Sequence, residues 1–341
     1  MTIRMVAEEA SVSIATASKA LNGRGQMMPQ TRERVREVAQ RLGFRPNAMA
    51  RALLTQRSLT VGLLTTDTYG RFTLPVAGGL SKALVDKGVS VFLCAVDDDA
   101  ERGRLHLEAM QEKCVDGLIA AGKRIDGTLP VDLHRSGLPI IHVMSQCPDG
   151  DIGFVPDDRQ GAQLATEHLL ALGRRRIAHV TGRQDFLAAR LRAESWQKTL
   201  IEAGAQPFSH ALFGSWTEAW GYEAARILFA DPPWQADRPD AVFCGNDQIA
   251  RGLIDGLTAQ GLGVPGDVAV VGFDNWEIFS AATRPPLSTI DMDLDPLGRQ
   301  AGLALLDLIG GKPIAPGVRT MPCRLVVRES CGADRRSNGM R

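Results

Sequence analysis

The sequence predicts a small all-α head followed by an α/β core of two lobes built on parallel sheets. Three observations predict it. Residues 4–42 hold three short stretches at helical spacing, separated by turn-forming residues. From residue 60 the texture changes to apolar, β-rich runs alternating with helical segments. Those runs form two successive series, and 341 residues suffice for two or three packed units. Apolar strands with helices between them imply parallel sheets covered on both faces.

In the head, residues 4–10, about 14–22 and about 31–42 read as helices, with turns at "SVS" and "NGRGQMMPQ". "GFRPN" (43–47) breaks the pattern, because Gly43 ends a helix and Pro46 holds Arg45 extended. "NAMARALL" (47–54) follows, with Asn47 as the N-cap of a further short helix. The first α/β series has strands "TVGLLTT" (60–66), "VSVFLCAV" (89–96), "DGLIAA" (116–121) and "PIIHV" (139–143). Its helices fall at about 75–87, 101–113 and 126–136. The second series has strands "RIAHVT" (176–181), "DAVFCG" (240–245) and "DVAVVGF" (267–273). Its helices fall at about 159–172, 188–203, 217–229, 246–260 and 294–310. Ligands in such folds bind outside the carboxyl ends of strands, here in the cleft between the lobes.

Composition narrows the class. Hydrophobic residues make up 44% and charged residues 23%, the range of a soluble globular protein. No apolar run is long enough to span a bilayer, and "MTIRMVAEEAS" has no signal-peptide core. Cys94, Cys114, Cys147, Cys244, Cys323 and Cys331 form no C-x-x-C pair, so they are expected as reduced thiols, mostly in strands, of a cytoplasmic protein. Net charge is zero, yet residues 1–57 carry ten Lys/Arg against four Asp/Glu. A basic head on an acidic body fits a head that faces a polyanion; a solubilising charged face is the alternative.

The helix in "SVSIATASKALNG" divides by angle. Ala17, Ala20 and Leu21, joined by Val12, can pack against Val6, Ala7 and Ala10, with Val35, Val38 and Leu42 closing the core. Ile14, Ala15, Ser18, Lys19 and Asn22 are left outside. That outer face is small, with one cation and short hydrogen-bonding groups, and suits a helix pressed into a major groove. A plain packed three-helix unit would also satisfy the spacing.

"TIRMVAEEASVSIATASKALNG", "TRERVREVAQRLGFRPNAMARALLTQRS", "GRRRIAHVTG", "AVFCGNDQIARG", "VPGDVAVVGFDN" and "RPPLSTI" together resemble the lactose-repressor (LacI) family of bacterial transcription regulators. The resemblance covers nearly the whole chain. It implies a helix-turn-helix head over 1–45, a hinge helix and linker over 46–58, and a core over 59–330 like the type I periplasmic sugar-binding proteins. It also implies a homodimer formed through the core, operator DNA and a small-molecule effector as partners, no membrane and no cofactor. By position it makes Ile14, Ala15 and Lys19 base-facing, and Ser13, Thr16, Ser18 and Asn22 phosphate or base-edge contacts. Ile14 and Ala15 can only touch thymine methyls or exclude other groups, so polar readout is expected from Lys19. Ala50 and Leu53 match the hinge positions that enter the minor groove, with Leu53 as the wedge; packing of Leu53 on the core is the alternative.

The same resemblance places Phe72, Thr73, Phe186, Arg192, Trp216, Asn246 and Asp274 around the effector cleft. Their chemistry suits a polyhydroxylated ligand such as a sugar, sugar acid or polyol: a carboxylate for paired hydroxyls, a guanidinium fork, an aromatic face for C–H groups. Asp274 or Asn246 could instead be helix N-caps, and Trp216 could be core. Met144 stands where several members have a cleft aspartate, and a thioether accepts sugar hydroxyls poorly, so the first-lobe side of the cleft is expected to be less polar. The alternative effector is a nucleobase or phosphorylated sugar. "GLGVPG" (261–266) matches G-x-G-x-x-G, but it follows a helix and leads into a strand, so it reads as a connector. The six histidines are scattered singly, and no nucleophile, base or metal set appears that would make the chain an enzyme. A transport-type binding protein would need an export signal and no basic head. The tail "CGADRRSNGMR" (331–341) has no heptad pattern and is expected to be disordered.

Overall fold

The computed structural model describes residues 1–21, 25–44, 57–229 and 238–333. The head has three helices, α1 (Ile3–Glu9), α2 (Ile14–Leu21) and α3 (Pro29–Arg41). Pro29 opens α3, where its missing N–H costs nothing. Their small core is Val6, Ala7, Ala10, Ala17, Ala20, Val35, Val38 and Ala39, flanked by Val12, Leu21 and Leu42. Alanines at the contact let α2 lie close to its neighbours. Hinge residues 47–54 lie outside the described residues. The chain enters the core at Ser58 and Leu59, whose N–H groups both donate to the Asp116 carboxylate at 2.8 Å.

The core has two six-stranded sheets. The first orders β11 (Gly317–Met321), β5 (Ile152–Pro156), β4 (Ile140–Val143), β3 (Leu118–Ala121), β1 (Thr60–Thr65) and β2 (Ser90–Ala95), all parallel. Leu63 of β1 lies opposite Leu93 of β2 and Ile119 of β3. The second orders β12 (Arg324–Val326), β10 (Ser288–Asp291), β9 (Ala269–Asp274), β8 (Ala241–Cys244), β6 (Ile177–Thr181) and β7 (Leu212–Phe213). It is parallel except where β12 runs antiparallel to β10. Helices α4 (Thr73–Leu84) and α5 (Ala100–Glu112) cover the first sheet; α6 (Asp158–Ala171), α7 (Leu187–Glu202), α8 (Glu218–Phe229) and α9 (Asp247–Ala259) cover the second. Short α10 (Glu277–Ser280) follows β9, and α11 (Leu294–Ile309) follows β10.

Several elements differ from the sequence reading. Helix α11 belongs to the first lobe, not the second, and packs along α4. The chain crosses between lobes three times: from β5 to α6, from β10 to α11, and from β11 to β12. The helix expected over 126–136 shrinks to a 3-10 turn at Leu133–Ser136, because Gly127 and Pro130 interrupt it. Strands β5, β7, β10, β11 and β12 lie outside the runs read as strands; they are short or polar, and three of them sit at sheet edges. Cys94 and Cys244 lie in strands, but buried Cys323 and Cys331 lie in connections and Cys114 is exposed. Cys331, assigned to the tail, is 1% exposed, so the packed core reaches past residue 330. Among the described residues no helix is long and apolar enough to cross a membrane.

Two glycine contacts set the helix pairs. A Cβ at Gly79 of α4 would run into the backbone of Asp295 on α11, and one at Gly298 would meet Val76. Gly221 of α8 and Gly252 of α9 make the same arrangement in the second lobe. Gly79→Val therefore forces the α4–α11 backbones apart and should cost about 1–3 kcal/mol, as overpacking does, measurable as a lower midpoint in urea unfolding.

His179 of β6 is fully buried, stacked on Phe243 with centroids 4.6 Å apart, and its Nδ1 lies 2.8 Å from the Phe243 carbonyl. Burial pushes its pKa down to about 3, so the ring is neutral in the fold. A depressed histidine stabilises the fold above its unfolded pKa, and that contribution is lost as pH falls from about 6.5 toward 3. Between pH 7 and pH 5 the protein should lose about 2 kcal/mol from this residue. The loss should be absent in His179→Phe, compared by urea unfolding at the two pH values.

Candidate functional site

The outward face of α2 carries the expected groups. Ile14 is 44% exposed, Ala15 and Lys19 are exposed, and Thr16 and Ser18 are half-buried. Ser13 makes a local contact that sequence reading missed. Its Oγ accepts the Thr16 N–H at 3.1 Å and bonds the Thr16 hydroxyl at 2.8 Å, so it caps the helix. The stem of Lys19 lies within contact range of Gly25, a glycine at positive φ, where a Cβ would press on the lysine at 3.2 Å. Asn22, Ala50 and Leu53 lie outside the described residues.

The second cluster lies between the lobes, at the carboxyl ends of both sheets. A cavity of about 230 Å³ is lined by Phe72, Phe186, Arg192, Trp216, Asn246 and Asp274, all named from sequence. Thr73 is not among its walls. The Asp67 carboxylate accepts the N–H groups of Phe72 (2.7 Å) and Thr73 (2.9 Å), which starts α4. The Thr73 hydroxyl then turns inward to Thr65 at 2.6 Å and is 3% exposed. Asn246 at the end of β8 both lines the cavity and caps α9, its Oδ1 accepting the Ile249 N–H at 2.8 Å. Asp274 at the end of β9 sits at φ 100°, a strained conformation for a non-glycine residue. Phe186 and Trp216 meet edge to face at 5.8 Å.

Arg192 holds this arrangement together. Its Nε and Nη2 donate to one carboxylate oxygen of Asp158 at 2.7 and 2.6 Å. Its Nη1 donates to the Gly245 carbonyl at 2.5 Å, and its guanidinium lies 3.6 Å over the Phe273 ring. The pair is buried, with side chains 6% and 1% exposed. Across the cleft, Arg71 pairs with Asp274 and donates to Gln248 at 3.0 Å. Burial pulls its pKa down to about 10, which leaves it charged at neutral pH. Arg124 pairs with Asp126 and lies 4.0 Å over the Phe186 ring, and Asp126 accepts the Leu187 N–H at 2.9 Å. These contacts join the first lobe to the second.

Sequence reading missed Arg71, Lys123, Arg124 and Asp158 among the cavity walls. Asp158 was hidden because β5 before it was not recognised, so nothing marked it as lying past a strand end. "GLGVPG" is a connector between α9 and β9, with Gly263 N–H held by the Asp267 carboxylate at 2.7 Å. Among the described residues no group of His, Cys, Asp and Glu could hold a metal ion. Removing Arg192 leaves Asp158 buried and unpaired, so Arg192→Leu should cost about 3–5 kcal/mol. Adding Asp158→Leu should return part of it, a coupling that a double-mutant cycle by urea unfolding reads directly.

The pattern described as bacterial regulatory proteins, lacI family, matches residues 2–47, and that of a periplasmic binding protein-like domain matches residues 166–331. Catabolite control protein A of Priestia megaterium is 30% identical over 333 residues, covering 97% of this chain and 99% of that protein. The ribose operon repressor of Escherichia coli strain K12 is 32% identical over 311 residues, covering 88% and 90%. The crystal structure of the Lac repressor dimer bound to operator and the anti-inducer ONPF superposes with a TM-score of 0.76 at 28% identity, covering 98% of this chain and 99% of that one. With a helix-turn-helix head, two α/β lobes and similarity along almost its full length, the chain belongs to the lacI family of bacterial regulatory proteins: it is a DNA-binding transcriptional repressor with a ligand-binding core, not an enzyme.

Proposed function

We propose that this repressor reads its operator with α2 and is controlled by a sugar-like, polyhydroxylated effector in the inter-lobe cavity. The carrying observation is the convergence of Arg192, Asn246, Asp274 and Trp216 on one cavity of about 230 Å³. Donors, acceptors and an aromatic face are what a small polyol needs. The volume lies below the roughly 300–1,000 Å³ of drug-sized sites, which favours a compact ligand. A relative that represses a ribose operon supports the same class of signal.

The working unit in this reading is a homodimer paired through the core; the Lac repressor was solved as a dimer bound to operator. Ile14, Ala15 and Lys19 face bases, while Ser13, Thr16, Ser18 and Asn22 contact phosphates or base edges. Ala50 and Leu53 enter the minor groove. The effector acts by favouring one angle between the lobes, which requires unequal affinity for the two core states. Its binding changes the spacing of the paired hinges.

Two measurements test this. Thermal-shift screening of the full chain against sugars, sugar acids, polyols and purines should give stabilisation by a polyol-type ligand. Asp274→Asn should then weaken that ligand at least about tenfold in calorimetry, equivalent to ~1.4 kcal/mol. Stabilisation by purines alone would replace the reading. In an operator selection, Lys19→Ala should relax preference at one base pair by about 1–3 kcal/mol. An unchanged preference would remove Lys19 from the reading face.

A further inference from the structure

The cavity is segregated by charge. Every charged side chain that the first lobe contributes is a cation: Arg71 from the loop after β1, Lys123 and Arg124 from the loop after β3. The rest of that wall is apolar, with Phe72, Ile125 and Met144 offering no side-chain acceptor. Both lining carboxylates, Asp158 and Asp274, come from the second lobe. There Arg192 is already committed to one Asp158 oxygen and the Gly245 carbonyl.

Apart from Arg71 Nη2, which faces Asp274, three buried polar atoms in this lining have no hydrogen-bond partner: Arg71 Nε, Trp216 Nε1 and the second oxygen of Asp158. Two are donors and one is an acceptor. Burying such atoms is costly, and a ligand that satisfies them is correspondingly favoured. Arg71 is the informative one. It crosses from the first lobe to pair with Asp274, one of the two carboxylates that line the cavity. Its guanidinium also lies 5.0 Å over the Phe72 ring and 4.9 Å over that of Trp276, a desolvated setting. A neutral sugar that claimed Asp274 would leave this guanidinium without its counter-charge. A ligand with its own oxyanion would replace Asp274 as the partner of Arg71 and free Asp274 for hydroxyls. Lys123 and Arg124 at the rim have partners of their own, Asp98 at 3.6 Å and Asp126 at 3.0 Å. Those acids lie outside the cavity wall, so the lining keeps four cations against two carboxylates.

We propose that the effector is a polyol bearing an oxyanion, a sugar carboxylate or sugar phosphate. Its anionic group lies on the first-lobe side against Arg71, and its hydroxyls lie on Asp158, Asn246 and Asp274. Arg71 is the residue that sets this preference. The proposal rests on the cavity being the effector site, and the test separates the two.

The full-length protein is titrated by calorimetry with matched sets: glucose, gluconate, glucuronate and glucose 6-phosphate, the same four for galactose, and inorganic phosphate. At least one acid should bind ten times or more tighter than its neutral parent, and Arg71→Gln should weaken that acid at least tenfold. Arg71→Lys should restore part of the loss, and Lys123→Gln, at an exposed rim position, gives a second reading if Arg71→Gln folds poorly. Tighter carboxylate or tighter phosphate binding identifies which oxyanion is used. The proposal is overturned if a neutral sugar binds as well as its acid, if no acid binds, or if inorganic phosphate accounts for all the binding. It is also overturned if Arg71→Gln leaves acid binding intact. If a sugar acid binds but Asp274→Asn and Trp216→Ala do not affect it, the cavity reading fails instead.

Discussion

Arg192 reaches from α7 into the junction where the chain passes between lobes, and the cleft takes its shape from that one guanidinium. Its bonds to Asp158 fix the segment just past the first crossing. Its bond to the Gly245 carbonyl fixes the end of β8 beside Asn246. Its stacking on Phe273 fixes the end of β9 beside Asp274. Three separate stretches of sequence are thereby registered to one another within a few ångströms. A buried ion pair is weak support for stability, since desolvation offsets much of its attraction. Its value here is geometric: it locates each cavity residue relative to the others.

Contacts across the cleft work differently. Arg71 holds Asp274, Gln248 and the Trp276 ring, and Arg124 with Asp126 holds Phe186 and the start of α7. These contacts join two bodies that the three chain crossings also connect. The crossings are themselves tied: the Asp157 backbone N–H donates to the Met321 carbonyl at 2.8 Å, and Arg324 pairs with Asp291 at 2.7 Å. Below the first lobe, Asp116 holds Ser58 and Leu59, and Arg57 donates to the Ile309 carbonyl at 2.6 Å. The chain coming from the head is thus fastened to the same lobe that carries Arg71.

Much of this was legible in the sequence because period and burial agree. Ala17 and Ala20 fall in the head core by helical angle alone, and they are buried there. The apolar runs at β1, β3, β6, β8 and β9 sit in sheet interiors, where continuous hydrophobicity is the signature. What failed was non-local or polar. "GVRTM" and "RLV" carry arginines and become edge strands only because another strand offers them a ladder. Thr73 matched a motif position, yet local bonding turns its hydroxyl to Thr65. Asp158 and Arg71 look like ordinary loop or capping residues until the lobes face each other. No sequence period encodes which lobe a helix will cover, so α11 was assigned by order along the chain and not by its partner.

That last assignment has a consequence for synthesis. The first lobe is assembled from residues 60–156 together with 294–321, and the second from 158–291 together with 324–331. Neither lobe can close while the ribosome is still making its final segments. Until α11 and β11 emerge, the glycine face of α4 is bare and the edge of β5 presents unpaired backbone groups. A nascent chain cut short in that interval exposes an adhesive strand edge on an otherwise folded sheet. The carboxyl-terminal segment is therefore the clasp of both lobes, and the chain becomes a repressor core only when its last tenth has been threaded back into sheets begun long before.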